Sequence, residues 1–141
     1  MRTLRLDLEY DGTNYHGWQV QPNAPTIQEK LEDALHQVLG EWVRVTGAGR
    51  TDAGVHALGQ VGHLRTASDR EVGALFRGVN SLLPEDIVVK TVREASPDFH
   101  ARRSALRKRY EYWILNDPTR SAFHHRFVWH LRVGLDLDKM R

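Results

Sequence analysis

Residues 3–10 read TLRLDLEY. Leu4, Leu6, Leu8 and Tyr10 take every second position, and Arg5, Asp7 and Glu9 fill the gaps between them. A period of two belongs to a strand with one face buried and the other wet. The stretch Asp11–Pro25 that follows is rich in turn formers, and beyond it the period changes. Thr26 can cap a helix with its hydroxyl, and Glu29 stands at N3 to complete a capping box. Ile27, Leu31, Ala34, Leu35 and Val38 then recur at helical spacing as a buried stripe. Gly40 stands where a helix ends in a left-handed residue at little cost.

Outward from this strand and helix, Trp42–Thr46 predicts a second strand. Gln60–Arg65 predicts a third, entered directly from a glycine-rich segment. A second helix is expected from Ser68, again with an acid three residues later, Glu71. Val72, Leu75, Phe76 and Val79 would carry its apolar face. Leu83-Pro84-Glu85-Asp86 reads as a turn, and Ile87–Val92 is β-branched and strand-like. The order β-α-β-β-α-β predicts an α+β fold. Its expected form is a ferredoxin-like split βαβ layer, with helices on one face of a mixed or antiparallel sheet.

Two further strands are expected beyond this layer. Lys108–Leu115 would place Tyr110, Tyr112 and Ile114 on one face. His125–Leu131, with Phe127, Trp129 and Leu131 alternating, would pair with it across the turn Asn116-Asp117-Pro118. Leu135, Leu137 and Met140 then open a third helical pattern, with Asp136 or Asp138 near its start, and the sequence stops within about one turn. A helix that short does not hold on its own. The expectation is a single domain, residues 1–141, that is one part of a longer protein whose remainder buries these strands.

With 141 residues, 40% hydrophobic and 27% charged, the composition suits one modest globular domain with a real core. The absence of cysteine excludes disulfides and thiolate metal sites. The apolar runs are too short for a bilayer. Residues 1–15 hold Asp7, Glu9 and Asp11 and no apolar run, unlike a signal peptide, so the cytoplasm is the expected location. A net charge of +2 says little about partners. Its distribution says more: Arg102, Arg103, Arg107, Lys108 and Arg109 fall within one short run with no acid among them. Such a run suits phosphate contacts, and it also suits an ordinary solvated face.

The richest segment for chemistry is AGRTDAGVHALGQV, residues 48–61. Its one carboxylate, Asp52, sits among glycines and small residues, which allow tight turns and close approach of a ligand. A carboxylate so placed can attack an electrophilic carbon or move a proton. It can equally order a loop as an Asx-turn. Arg50 can keep Asp52 ionised, offer its donors to phosphate, or form a plain loop ion pair. Tyr110, at the end of the basic run, can stack on a base or simply pack in a sheet. In EYDGTNYHGWQVQ, residues 9–21, Tyr15, His16, Trp18 and Gln19 are placed to touch a ligand or the glycine-rich loop, with Trp18 equally suited to plug the core. His16, His56, His63, His100, His124 and His125 show no metal-ligand spacing, and no P-loop or dinucleotide motif is present.

Four blocks together resemble the TruA family of tRNA pseudouridine synthases. They are EYDGTNYHGWQ (9–19), AGRTDAGVHALGQV (48–61), VNSLLPEDI (79–87) and PDFHARRSALRKRYEY (97–112). The resemblance runs from Leu4 to the end of the chain and covers the N-terminal half of such proteins. It implies conversion of uridine to pseudouridine at tRNA positions 38, 39 and 40, in the anticodon stem-loop, without cofactor or metal. By the resemblance, Asp52 matches the family's nucleophile. Arg50 matches the arginine that pairs with it and helps displace the base, and Tyr110 matches the tyrosine that packs on that base. It also implies a homodimer when the protein is full length, and no membrane partner. The family's further basic residue and apolar contacts from the second half are absent here, so the 141-residue chain alone is expected to be weakly active or inactive. Two other readings remain open at this point: a non-catalytic RNA-binding module, and a small-molecule hydrolase built on Asp52 and Arg50.

Overall fold

A computed structural model describes residues 1–141, and the chain divides into two compact units, residues 1–106 and 107–141. In the first unit, β1 (Arg2–Tyr10) leads into a short 3-10 turn at Gly12–Asn14 and then α1 (Ile27–Leu39). β2 (Thr46–Gly47), β3 (Ala57–Thr66), α2 (Val72–Leu82) and β4 (Ile87–Ala95) follow. The strands lie in the order β2-β3-β1-β4, and every pairing is antiparallel. This is the expected split βαβ arrangement, with β3 lying between β2 and β1.

The alternation of TLRLDLEY does what its period demands. Leu4, Leu6, Leu8 and Tyr10 are buried, while Arg5, Asp7 and Glu9 stay part-exposed on the opposite face. Ile27, Leu31, Ala34, Leu35 and Val38 of α1 and Leu75 and Val79 of α2 complete the core. The Thr26 hydroxyl accepts the Glu29 amide at 3.3 Å, and Gly40 closes α1 with φ +76°. Phe76, expected on the buried face of α2, is exposed.

Several boundaries differ from the sequence reading, and for two of them the structure shows the side chain responsible. The strand expected over Trp42–Thr46 shrinks to Thr46–Gly47. The Val45 amide donates to Glu32 Oε1 at 2.8 Å, and the Val45 carbonyl accepts Gln28 Nε2 at 2.9 Å. Side chains of α1 thus take the bonds that a neighbouring strand would have used. Trp42 is exposed and stacks on His36, with ring centres 3.8 Å apart.

The second helix begins at Val72 and not at Ser68. Glu41 Oε1 accepts the Ala67 and Ser68 amides at 3.0 and 3.2 Å and bonds the Thr66 hydroxyl, which holds that stretch extended. Glu71 is itself the cap, accepting the Gly73 and Ala74 amides at 2.6 and 2.7 Å. Those two bonds hold the Glu71 carboxyl below its usual range. β3 and β4 are both longer than expected.

The second unit departs further. Only β5 (Ile114–Asn116) and β6 (Trp129–Leu131) form, and they pair parallel, Ile114 beside Trp129 and Asn116 beside Leu131. Residues 119–128 explain the reversal. The Ser121 hydroxyl accepts the His124 amide, and the His124 carbonyl accepts the Phe127 and Val128 amides. These turns consume the length of a strand and return the chain to the start of β5, as a parallel pair requires. Tyr110 and Tyr112 therefore lie outside any strand. The third helical pattern closes as a single turn, with Asp136 Oδ1 accepting the Lys139 amide at 3.2 Å.

Candidate active site

Asp52 lies in the connection between β2 and β3, and the backbone around it is held on both sides. On one flank, the Ala48 amide donates to the Val61 carbonyl at 2.7 Å, and the Gly49 carbonyl accepts Gln60 Nε2 at 2.6 Å. Within the loop, the Thr51 carbonyl accepts the Trp18 amide at 3.0 Å, and the Thr51 hydroxyl bonds the Tyr10 hydroxyl at 2.8 Å. Beyond it, the Asp52 carbonyl accepts the Val55 amide at 3.1 Å, and the Gly54 amide donates to the Tyr15 carbonyl at 3.1 Å. His56 Nδ1 accepts the Gly12 amide at 3.1 Å and lies 3.0 Å from Asp11 Oδ1.

Close packing reinforces these bonds. Trp18 is buried with its indole on Gly47, where a Cβ would sit only 2.9 Å from the ring. Gly17 has φ +83°, and a Cβ there would lie 2.5 Å from the Thr51 carbonyl oxygen. The stretch 10–18 is therefore a cradle for the loop. Its own far side is fixed by the Tyr15 hydroxyl, which donates to Asp86 Oδ1 at 2.5 Å. Burial, and then the Asp86 carboxylate, push the Tyr15 phenol upward and keep it protonated as that donor.

The side chains of Arg50 and Asp52 are exposed, and neither a hydrogen bond nor an ion pair joins them. The backbone of this loop is constrained while its carboxylate is left open to solvent. Such an arrangement suits a group that must meet an incoming electrophile or proton without first breaking a bond to its own protein. Tyr110 belongs to the second unit, where it is 68% exposed and carries no strand hydrogen bonds. Of the basic run, Arg102 and Arg103 fall in the first unit and Arg107, Lys108 and Arg109 in the second; all five are exposed. Arg109 Nε lies 2.8 Å from Glu111 Oε1.

The opposite face of the sheet carries a second layer of polar contacts. Segment 97–104 folds over it. Ala101 is buried there, and its amide donates to His63 Nδ1 at 3.2 Å. Phe99 meets the His63 ring edge-on, and the Arg5 guanidinium lies 5.8 Å from the Phe99 ring centre. His100 Nδ1 in turn accepts the Arg102 and Arg103 amides at 3.3 and 3.4 Å, which fixes the start of the basic run.

Trp18 is the core plug, one of the two roles open to it from sequence. The Trp18 amide and the Tyr15 carbonyl also reach the glycine-rich loop, the contact expected of this segment. The sequence reading did not single out Tyr10 or Gln60 as loop contacts. The register shows why they matter: Leu8 pairs with Gln60, Leu6 with Gly62 and Leu4 with Leu64, so a carboxamide occupies a position on the core face of β3.

A family model described as tRNA pseudouridine synthase matches residues 8–102. A protein of Ruminiclostridium cellulolyticum named tRNA pseudouridine synthase A is 50% identical over 141 residues, which is 100% of this chain and 58% of the relative. The same name belongs to a relative from Pelobacter propionicus, 48% identical over the same shares of both chains. It also belongs to one from Nitrosomonas europaea, 49% identical over 96% of this chain and 50% of the relative. The chain thus spans little more than half the length of these relatives.

Proposed function

Because the chain belongs to the tRNA pseudouridine synthase family, we propose that it is the N-terminal half of an enzyme that isomerises uridine to pseudouridine in tRNA. The proposed targets are positions 38–40 of the anticodon stem-loop. The observation that carries the reading is the open Asp52 carboxylate on a loop whose backbone is held at Gly49, Thr51 and Gly54.

The chemistry sets what such a site must do. The bond from ribose C1′ to uracil N1 breaks, the base turns, and a bond from C1′ to C5 forms. N1 gains a proton and C5 loses one, so substrate and product are isomers and no redox partner is needed. A base inside a helix hides these atoms, so it must leave its stack first. In the proposal, the Asp52 carboxylate initiates glycosidic cleavage, at the ribose or at the base. Arg50 pairs with Asp52 once substrate is bound and helps displace the base. Tyr110 receives the stacking role on the resemblance alone. Arg102, Arg103, Arg107, Lys108 and Arg109 meet phosphates and fix register, and the shape of the tRNA selects the site. The setting proposed is cytoplasmic, with the longer protein acting as a homodimer and with neither cofactor nor metal. No helix is long and apolar enough to cross a membrane.

The test is tritium release from C5-labelled uridine in tRNA, with the full-length wild-type protein compared with its Asp52→Ala variant. Loss of release in the variant, with tRNA binding retained, is the expected result. Equal release from both overturns the assignment of Asp52.

A further inference from the structure

We propose that Tyr10 and Gln60 are positioning residues for the catalytic loop, joining the sheet to the Gly49 carbonyl on one side of Arg50 and to the Thr51 hydroxyl on the other. The inference rests on the function proposed for Asp52. It begins with two polar groups where apolar ones would pack as well. Tyr10 ends the row Leu4, Leu6, Leu8 and is 3% exposed, and Gln60 faces the core opposite Leu8 and is 8% exposed. Burying a phenol or a carboxamide is costly unless its polar atoms are bonded.

Both are bonded, and their partners flank one residue. Gln60 Nε2 donates to the Gly49 carbonyl at 2.6 Å and reaches the Tyr10 hydroxyl at 3.4 Å. The Tyr10 hydroxyl bonds the Thr51 hydroxyl at 2.8 Å. Gly49 and Thr51 are the neighbours of Arg50, and Thr51 is also the neighbour of Asp52. The strand geometry brings the pair together. Between the pairs Leu8–Gln60 and Tyr10–Ala57, β3 carries one residue more than β1, a bulge that re-aims the end of the sheet. Burial dominates the titration of the Tyr10 phenol and drives it upward, so the hydroxyl stays neutral in the core.

Tyr10 and Gln60 touch no substrate in this account. They act through the loop, so their loss should slow the chemical step more than it weakens tRNA binding. Three substitutions isolate the bond: Tyr10→Phe keeps the ring, Thr51→Val keeps the volume, and Thr51→Ser keeps the hydroxyl. The experiment measures single-turnover pseudouridine formation and tRNA affinity in the full chain, with Asp52→Ala alongside.

Tyr10→Phe and Thr51→Val should each slow the step by about ten- to a hundredfold, the scale of a misplacement of about 1 Å. Affinity should stay within about twofold. The double variant should be no slower than Tyr10→Phe, which already removes the bond to Thr51. Thr51→Ser should recover the rate. Wild-type rates in Tyr10→Phe and Thr51→Val, with Asp52→Ala dead, overturn the positioning role alone. Equal losses of rate and affinity, unrecovered in Thr51→Ser, also overturn it, as general unfolding. A fully active Asp52→Ala removes the function beneath it.

Discussion

Replacing Gly17 by alanine tests the cradle beneath Asp52, because the cost has two separable parts. The first is backbone strain. With φ +83°, an L-residue pays roughly 1–2 kcal/mol for the left-handed conformation. The second is steric. The new methyl would sit 2.5 Å from the Thr51 carbonyl oxygen, inside the 3.0 Å limit that real side chains respect. Relieving overpacking of this kind costs typically about 1–3 kcal/mol. Gly17→Ala should therefore destabilise the first unit by about 2–5 kcal/mol.

Gly40→Ala is the control. Gly40 has φ +76°, and a Cβ there meets nothing within 4 Å, so only the strain of about 1–2 kcal/mol remains. Urea denaturation of both variants gives the two values, and their difference isolates the contact with Thr51. The carbonyl that must retreat is bonded directly to the Asp52 nitrogen, so the rate of tritium release should fall about tenfold or more in Gly17→Ala and hold in Gly40→Ala. Equal destabilisation by the two substitutions, with equal rates, would refute the packing of segment 10–18 on the loop.

Other expectations concern the core, the second face and the partner. Leu35→Ala removes a fully buried side chain and should cost about 2–5 kcal/mol in the same denaturation experiment. Burial, and then the nearby His100, push the His63 imidazole below its ordinary 6.5. The unfolded chain therefore takes up this proton first, so the contribution to stability is complete above pH 6.5 and is lost as pH falls from there towards the folded value. Protonation also fills the Nδ1 lone pair that accepts the Ala101 amide, so exchange of that amide, corrected for its intrinsic rate, should accelerate on acidification; unchanged protection would count against the contact. Charge reversal at Arg107 and Lys108 should weaken tRNA binding and flatten its salt dependence by about 0.7–0.9 per lost phosphate contact, measured by titration at several salt concentrations. Unaltered affinity would point instead to a small-molecule substrate.

The first unit was legible wherever a repeating period was reinforced by a local stop signal. TLRLDLEY and the Thr26–Gly40 helix carry both, and both stand as read. The reading weakened where a distant side chain decided the outcome. Nothing local to Val45 says that Glu32 and Gln28 will take its backbone bonds, and nothing local to Ser68 says that Glu41 will hold its amide. The second unit misled for a different reason. Tyr110, Tyr112 and Ile114 alternate as a strand would, yet alternation gives no direction of pairing, and the turns at Ser121–Val128 made it parallel. At the candidate site, the motif placed Asp52 and Arg50 on one loop. The bonds to Tyr10, Trp18 and Gln60 that hold that loop join residues far apart in sequence, and no local pattern records them.

The bond between Tyr10 and Thr51 spans 41 positions, so it joins segments that are synthesised well apart. The earliest strand has no antiparallel neighbour until β3 has been made, since β1 pairs with β3 and β4 and not with β2. Pairings this remote along the chain form slowly, after local helices. A growing polypeptide that has passed Asp52 but not reached Thr66 thus carries its acid on a slack tether, and the loop is held only when the sheet closes behind it.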